Sequence, residues 1–256
     1  MAADDYFGEL RSIFSTPASA ASWEALCSKV DAAMRAQPER ATTELIPYLS
    51  ALLKPWPDHL RVAPPTWLER ALIGELLPEL ELVSTIVIQL RYVATGELKA
   101  LLQNHALPDL RQLSLWTVGL RAEQLSELLN APVATQLKEL HLGRNDLSDR
   151  GVELLCKHSS KLLALRTLSL PENDIGSRGA WALAHSPLLE RLERLNLYAN
   201  HIGEEGFLSL ATAPINGPLE LELRDNAMTP ASANALAGAA FLPEPIRALW
   251  ASYDAD

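Results

Sequence analysis

One eleven-residue pattern constrains this chain more than any other feature. Leu137-Lys-Glu-Leu140-His-Leu142-Gly-Arg-Asn145-Asp-Leu147 reads LxxLxLxxNxL. The same positions return from Leu165 to Ile175, from Leu192 to Ile202 and from Pro218 to Met228, with Asn173, Asn200 and Asn226 in the Asn slot. Leu110 to Leu120 keeps every apolar position but carries Val118 in the slot, and Val83 to Val93 is a weaker copy with Arg91 there. The slot residues 91, 118, 145, 173, 200 and 226 are separated by 27, 27, 28, 27 and 26 positions. Each pattern is followed by a stretch of helical period, with a leucine (101, 128, 155, 183, 210, 236) eight residues past its last apolar position. A short strand plus a helix cannot bury its apolar face alone, so such units must stack.

These residues resemble the leucine-rich repeat family. The period of 26–28 residues with a full helix looks like the ribonuclease-inhibitor and Ran-GTPase-activating-protein subclass, and arginines outnumbering lysines sixteen to six hint at a bacterial source. The resemblance implies an α/β solenoid: a horseshoe arc with a parallel sheet on the concave side and helices on the convex side. Asn145, Asn173, Asn200 and Asn226 then fall where each strand turns into the convex arm. There an amide side chain serves unpaired backbone groups of its own turn and the neighbouring one, as a structural ladder.

Composition narrows the function. Fifty of 256 residues are leucine, yet the longest uncharged apolar stretch, Leu82–Leu90, is about half the length of a bilayer-crossing helix. MAADDYFGEL lacks the basic start and apolar core of a secretory signal, so a cytoplasmic protein is expected. A net charge of −10, with six scattered lysines, argues against nucleic acid as a partner. Cys27 and Cys156 match no metal spacing and read as small buried hydrophobes, and no HxxxH or His/Cys pairing appears, so no metal and no cofactor is expected.

The flanks differ in character. Residues 1–82 carry no repeat and suggest helices at about 20–36, 40–54 and 66–78, with Pro38 at a helix start and Thr66-Trp-Leu-Glu69 as a capping box. A solenoid bares its first repeat unless something covers it, so this stretch reads as an α-helical N-terminal cap or small domain. About six repeats occupy residues 83–240. Phe241, Leu242, Ile246, Leu249 and Trp250 are spaced to close the other end as a C-terminal cap over 241–256.

Alternation along a strand places the non-consensus residues on the open face. Trp116 and Tyr198 share one column, and His141, Arg144, Arg194 and Arg224 punctuate the surface. Trp, Tyr and Arg are the residue types that most often carry binding energy, which makes these six the candidate partner-binding residues. Trp116 packing on the N-terminal helices is the plain alternative, and Trp181 reads as packing on the convex side. Ser114, His141 and Ser169 share a column, but a hydrolase needs an orienting acid, an oxyanion hole and a dry pocket, and no Gly-rich elbow adjoins either serine.

The expected function is therefore a non-enzymatic scaffold that binds another protein through the concave face and its loops. Six strands make a strip of only about 400 Å², half the roughly 800 Å² a standard interface buries per partner, so the loops must contribute. The resemblance also raises a small-GTPase regulator, with Arg144, Arg194 and Arg224 as contacts, and an enzyme-inhibiting binder. A ubiquitin-ligase effector needs a large cysteine-bearing domain after the repeats, where about 16 residues follow residue 240.

Overall fold

The computed structural model describes residues 10–105, 107–215 and 217–251. Strands and helices alternate through the repeats: β1 (Thr85–Gln89), β2 (Gln112–Trp116), β3 (Glu139–His141), β4 (Thr167–Ser169), β5 (Arg194–Asn196) and β6 (Glu220–Glu222) form one sheet in sequence order. Parallel pairing aligns Glu139 with Thr167, Arg194 and Glu220, and His141 with Ser169, Asn196 and Glu222. The repeat spacing alone therefore fixes the register. Leu140, Leu142, Leu168, Leu170, Leu195 and Leu197 are buried beneath the strands. Each buried leucine contributes about 1.5–3 kcal/mol, so the recurring leucines are the main stabilising element of every unit.

Each strand ends in the same strained turn. Leu90, Thr117, Arg144, Glu172, Ala199 and Asp225, the residues just before the Asn slot, all have φ between 50° and 57°. Left-handed backbone costs a non-glycine residue about 1–2 kcal/mol, and the stacked turns impose it regardless of side chain. The helices of the arm are α4 (Thr95–Asn104), α5 (Ala122–Asn130), α6 (Ser148–Lys157), α7 (Ser177–Ala184), α8 (Glu204–Ala211) and α9 (Pro230–Ala237). Gly179 of α7 is a spacing device: a Cβ there would lie 2.6 Å from Asp149 Oδ1 of the preceding repeat. That oxygen accepts from the Gly176 and Gly179 N–H groups at 2.8 Å each, so one repeat caps the helix of the next.

By packing, the chain divides into two compact units, residues 1–86 with 100–112 and residues 87–99 with 113–256. The first holds α1 (Ala20–Ala36), α2 (Ile46–Leu53) and α3 (Pro65–Leu72). A turn at Pro38–Arg40 and a π-helical stretch at Ala41–Leu45 lead into α2. Pro47, in the first turn of α2, has no N–H to return to the preceding turn, and the wider coil accommodates its ring.

The third helix is shorter than its expected span. It stops at Leu72 because Gly74, at φ 93°, turns the chain away, and Ile73 and Leu76 are left exposed. The Thr66–Glu69 capping box is not formed. Pro64 is the N-cap, Pro65 occupies the first turn, and no side chain caps the helix.

Within this first unit the backbone continues beyond β1. Val62 pairs in parallel with Thr85; the Ser84 and Thr85 N–H groups donate to the Arg61 carbonyl at 3.0 and 3.1 Å, and the Ala63 N–H donates to the Thr85 carbonyl at 2.9 Å. Arg61 is 3% exposed, paired with Asp109 at 3.0 Å and Asp58 at 3.5 Å. At the other end, Phe241, Leu242 and Trp250 are buried around α10 (Glu244–Ala251). The side chains of Ile246 and Leu249, and residues 252–256, lie outside the described residues.

Candidate partner-binding face

The four asparagines form a continuous hydrogen-bonded series. Asn173 is fully buried; its Oδ1 accepts from the Asn145 N–H (3.1 Å) and Leu147 N–H (3.3 Å), and its Nδ2 donates to the Leu142 (2.9 Å) and Pro171 (3.0 Å) carbonyls. Asn145 does the same for Val118, Leu120, Leu115 and Gly143. Asn200 serves Asn173 and Ile175 through its oxygen, and Leu170, Leu197 and Tyr198 through its nitrogen. Asn226, last in the row, accepts from Ile202 alone and is partly exposed. All four amides are consumed by backbone.

On the face opposite the leucines, the large residues are held in place by neighbours. Glu139 Oε2 meets His141 Nε2 at 3.3 Å, while its Oε1 lies 3.6 Å from the Arg194 guanidinium two strands away. This bridge passes over β4, whose Thr167 and Ser169 are 6% and 7% exposed. His141 thus turns to an acid on its own strand rather than to either serine of its column. Arg144 pairs with Glu172 at 2.7 Å. Arg224 grips Glu222 through Nε and Nη2, which holds the Glu222 carboxyl below its ordinary range. The Tyr198 phenol donates to Asp225, and that carboxylate pushes the phenol's pKa up.

Trp116 has a neighbour that its column position did not reveal. Its indole lies against Gly143 of the next repeat; a Cβ there would fall inside the van der Waals envelope of Cε3, Cζ3 and Cη2. A second pair repeats the device. Tyr92, 65% exposed, lays its ring over Gly119, where an added Cβ would approach Cδ2 to 2.9 Å. The signal for both was present in the sequence as a glycine one repeat after an aromatic, and reading columns by residue type alone passed over it. Leu90, 76% exposed, was passed over as well. Its N–H donates to the Trp116 carbonyl at 3.0 Å, so the two side chains stand on adjacent rungs. Trp181 is not packed inside the helical layer: it is 55% exposed and stacks on His185 with ring centroids 4.4 Å apart.

Charge divides the face in two. Val87, Gln89 and Leu90, then Ser114, Trp116 and Thr117, are uncharged, while Glu139, Arg144, Glu172, Arg194, Glu220, Glu222, Arg224 and Asp225 crowd β3 to β6 and their turns. Burial pushes the Cys27 thiol up to about 12 and the Cys156 thiol up to about 11, which keeps both protonated and unreactive at neutral pH. Among the described residues no cluster of His, Cys, Asp or Glu is arranged to hold a metal, and no helix is long and apolar enough to cross a membrane.

Comparison with known proteins adds one match. A family model described as Leucine Rich repeat covers residues 134–156, which span β3 and nearly all of α6. No curated protein matches the chain. The match and the single open, all-parallel six-stranded sheet fit a leucine-rich repeat protein, and the fold is an α/β leucine-rich repeat solenoid. Such repeats generally mediate protein–protein interaction and are typically non-enzymatic.

Proposed function

We propose that this leucine-rich repeat solenoid is a non-enzymatic scaffold that binds another protein through the open sheet face and the loops beside it. The observation that carries the reading is the pre-set state of the large side chains there: Trp116 seated on Gly143, Tyr198 bonded to Asp225, and Arg144, Arg194 and Arg224 each held by a carboxylate. Side chains ordered before binding lose little further rotamer freedom on association, a cost of about 0.5–1.5 kcal/mol for each residue otherwise free. The free thiols of Cys27 and Cys156 fit a reducing, cytoplasmic compartment. The mixed and largely neutralised charges suit a protein partner better than a polyphosphate.

A photo-crosslinking amino acid placed at position 196, on the open face, and separately at 181, on the helical face, tests the reading in native extract. Position 196 is expected to capture a discrete protein band that position 181 does not. Capture from 181 alone moves recognition to the helices.

A further inference from the structure

The reading above leaves the chemistry of the partner open, and the charge division narrows it. Leu90 and Tyr92 are among the most exposed large apolar side chains of the described residues, at 76% and 65%; Leu90 stands one strand from Trp116, and Arg91 between the two is ion-paired with Glu97 at 3.1 Å. The Tyr92 ring rests against Gly119, a contact that limits its freedom before any partner arrives, and most of its apolar surface stays exposed. Nothing in the repeat requires these residues. The positions equivalent to Tyr92 in later repeats are Gly119, Asp146, Asp174, His201 and Ala227.

At the far end the balance is acidic. Each of the three arginines on the face is engaged by a carboxylate, Arg144 by Glu172, Arg194 by Glu139 and Arg224 by Glu222. Glu220 has no ion-pair partner among the described residues, and Asp225 holds only the neutral Tyr198 phenol as its hydrogen-bond donor. Two carboxylates are therefore left in excess on β6 and its turn. Opposite charge is what a complementary surface supplies, and like charge is excluded.

We infer, resting on the open-face reading, that the partner contributes one continuous segment with an apolar end seated on Leu90, Tyr92 and Trp116 and a basic end over Glu220 and Asp225. Five strand spacings separate the ends, about 24 Å. A segment of about 16 residues covers that distance if helical, and fewer suffice if extended. The exposed ring and leucine also supply the loop contribution that a strand-only strip lacks.

Selection of random 20-residue peptides displayed on phage, with the full chain as bait, tests this directly. Enriched sequences are expected to place Leu, Ile, Phe, Met or Trp at one end and Lys or Arg at the other. Enriched peptides are then synthesised and titrated by fluorescence anisotropy. Leu90→Ser with Tyr92→Ser is expected to weaken binding tenfold or more at all salt concentrations. Glu220→Gln with Asp225→Asn is expected to weaken it three- to tenfold at low salt, the difference vanishing at 0.5 M salt. All four side chains are on the surface, and Asn is well tolerated in the left-handed backbone at 225.

No enrichment, or enriched peptides with no basic cluster, overturns the inference. Peptides weakened by Tyr198→Ala and Arg194→Ala but indifferent to the Leu90/Tyr92 pair also overturn it, while leaving the open-face reading standing. Indifference to both pairs defeats both. A dimer in sedimentation velocity that is lost in the Leu90→Ser/Tyr92→Ser variant assigns the patch to a second copy of the chain instead.

Discussion

Replacing Asn173 by alanine removes an acceptor for two N–H groups and a donor for two carbonyls in one step. The Pro171 carbonyl keeps the Arg144 N–H as a second partner, at 3.0 Å. The Asn145 and Leu147 N–H groups and the Leu142 carbonyl have no such reserve in the turn. A buried backbone group deprived of its partner costs about 1–3 kcal/mol, so three of them place the loss at about 3 kcal/mol or more. In a chain of this length that lowers the melting temperature by about 6–12 °C.

Asn226→Ala is the internal control. Its oxygen serves Ile202 alone and its site is open to water, so about 1 kcal/mol is expected. Urea denaturation of both variants, followed by far-ultraviolet circular dichroism, gives the two midpoints. Equal losses, or an Asn173→Ala loss below about 1 kcal/mol, refute the argument that orphaned backbone sets the cost. Asn173→Asp is expected to be at least as damaging, because a carboxylate cannot donate to the Leu142 and Pro171 carbonyls.

Three further outcomes follow from the same geometry. Thr117, β-branched, at φ 54° and with a buried hydroxyl lacking a partner, is the least suited of the six turn residues, so Thr117→Gly is expected to stabilise by about 1 kcal/mol, and a lowered urea midpoint counts against the strain argument. Gly143→Val is expected to lift the Trp116 indole off the next strand and cost about 1–3 kcal/mol, and an unaltered near-ultraviolet dichroism spectrum contradicts that packing. Deleting residues 1–82 strips the Arg61–Ala63 pairing from Ser84 and Thr85 and is expected to yield aggregating protein; a soluble, cooperatively folding 83–256 fragment argues instead for an independent helical domain.

The repeats were legible in the sequence because their physics is local and periodic. Leucine spacing sets strand, helix and register together, and an Asn at fixed distance from the strand meets the same backbone groups each time. Features that depend on contacts across repeats emerge only when neighbouring repeats are read in register, not from residue types alone. The Trp116–Gly143 and Tyr92–Gly119 pairs join residues 27 positions apart, and neither residue is unusual alone. Burial of Thr167, which the register sets between Glu139 and Arg194, goes with the bridge those two form over its strand, and residue types on one strand do not reveal it. In the first unit, Gly74 ended a helix that apolar spacing extended to 78, and two prolines displaced the hydroxyl cap at Thr66. Trp181 failed as a packing residue because helical period locates a face and says nothing of what lies beyond it.

The central claim is that recognition energy concentrates in a few ordered residues on the open face. Isothermal titration of the cross-linked partner against Trp116→Ala, Tyr198→Ala, Ser114→Ala and Ser169→Ala measures it most directly. Each aromatic variant is expected to weaken binding by about 2 kcal/mol or more, a thirtyfold change, and the two serine variants to leave it nearly unchanged. Unaltered affinity in both aromatic variants, with their folding intact, contradicts the account.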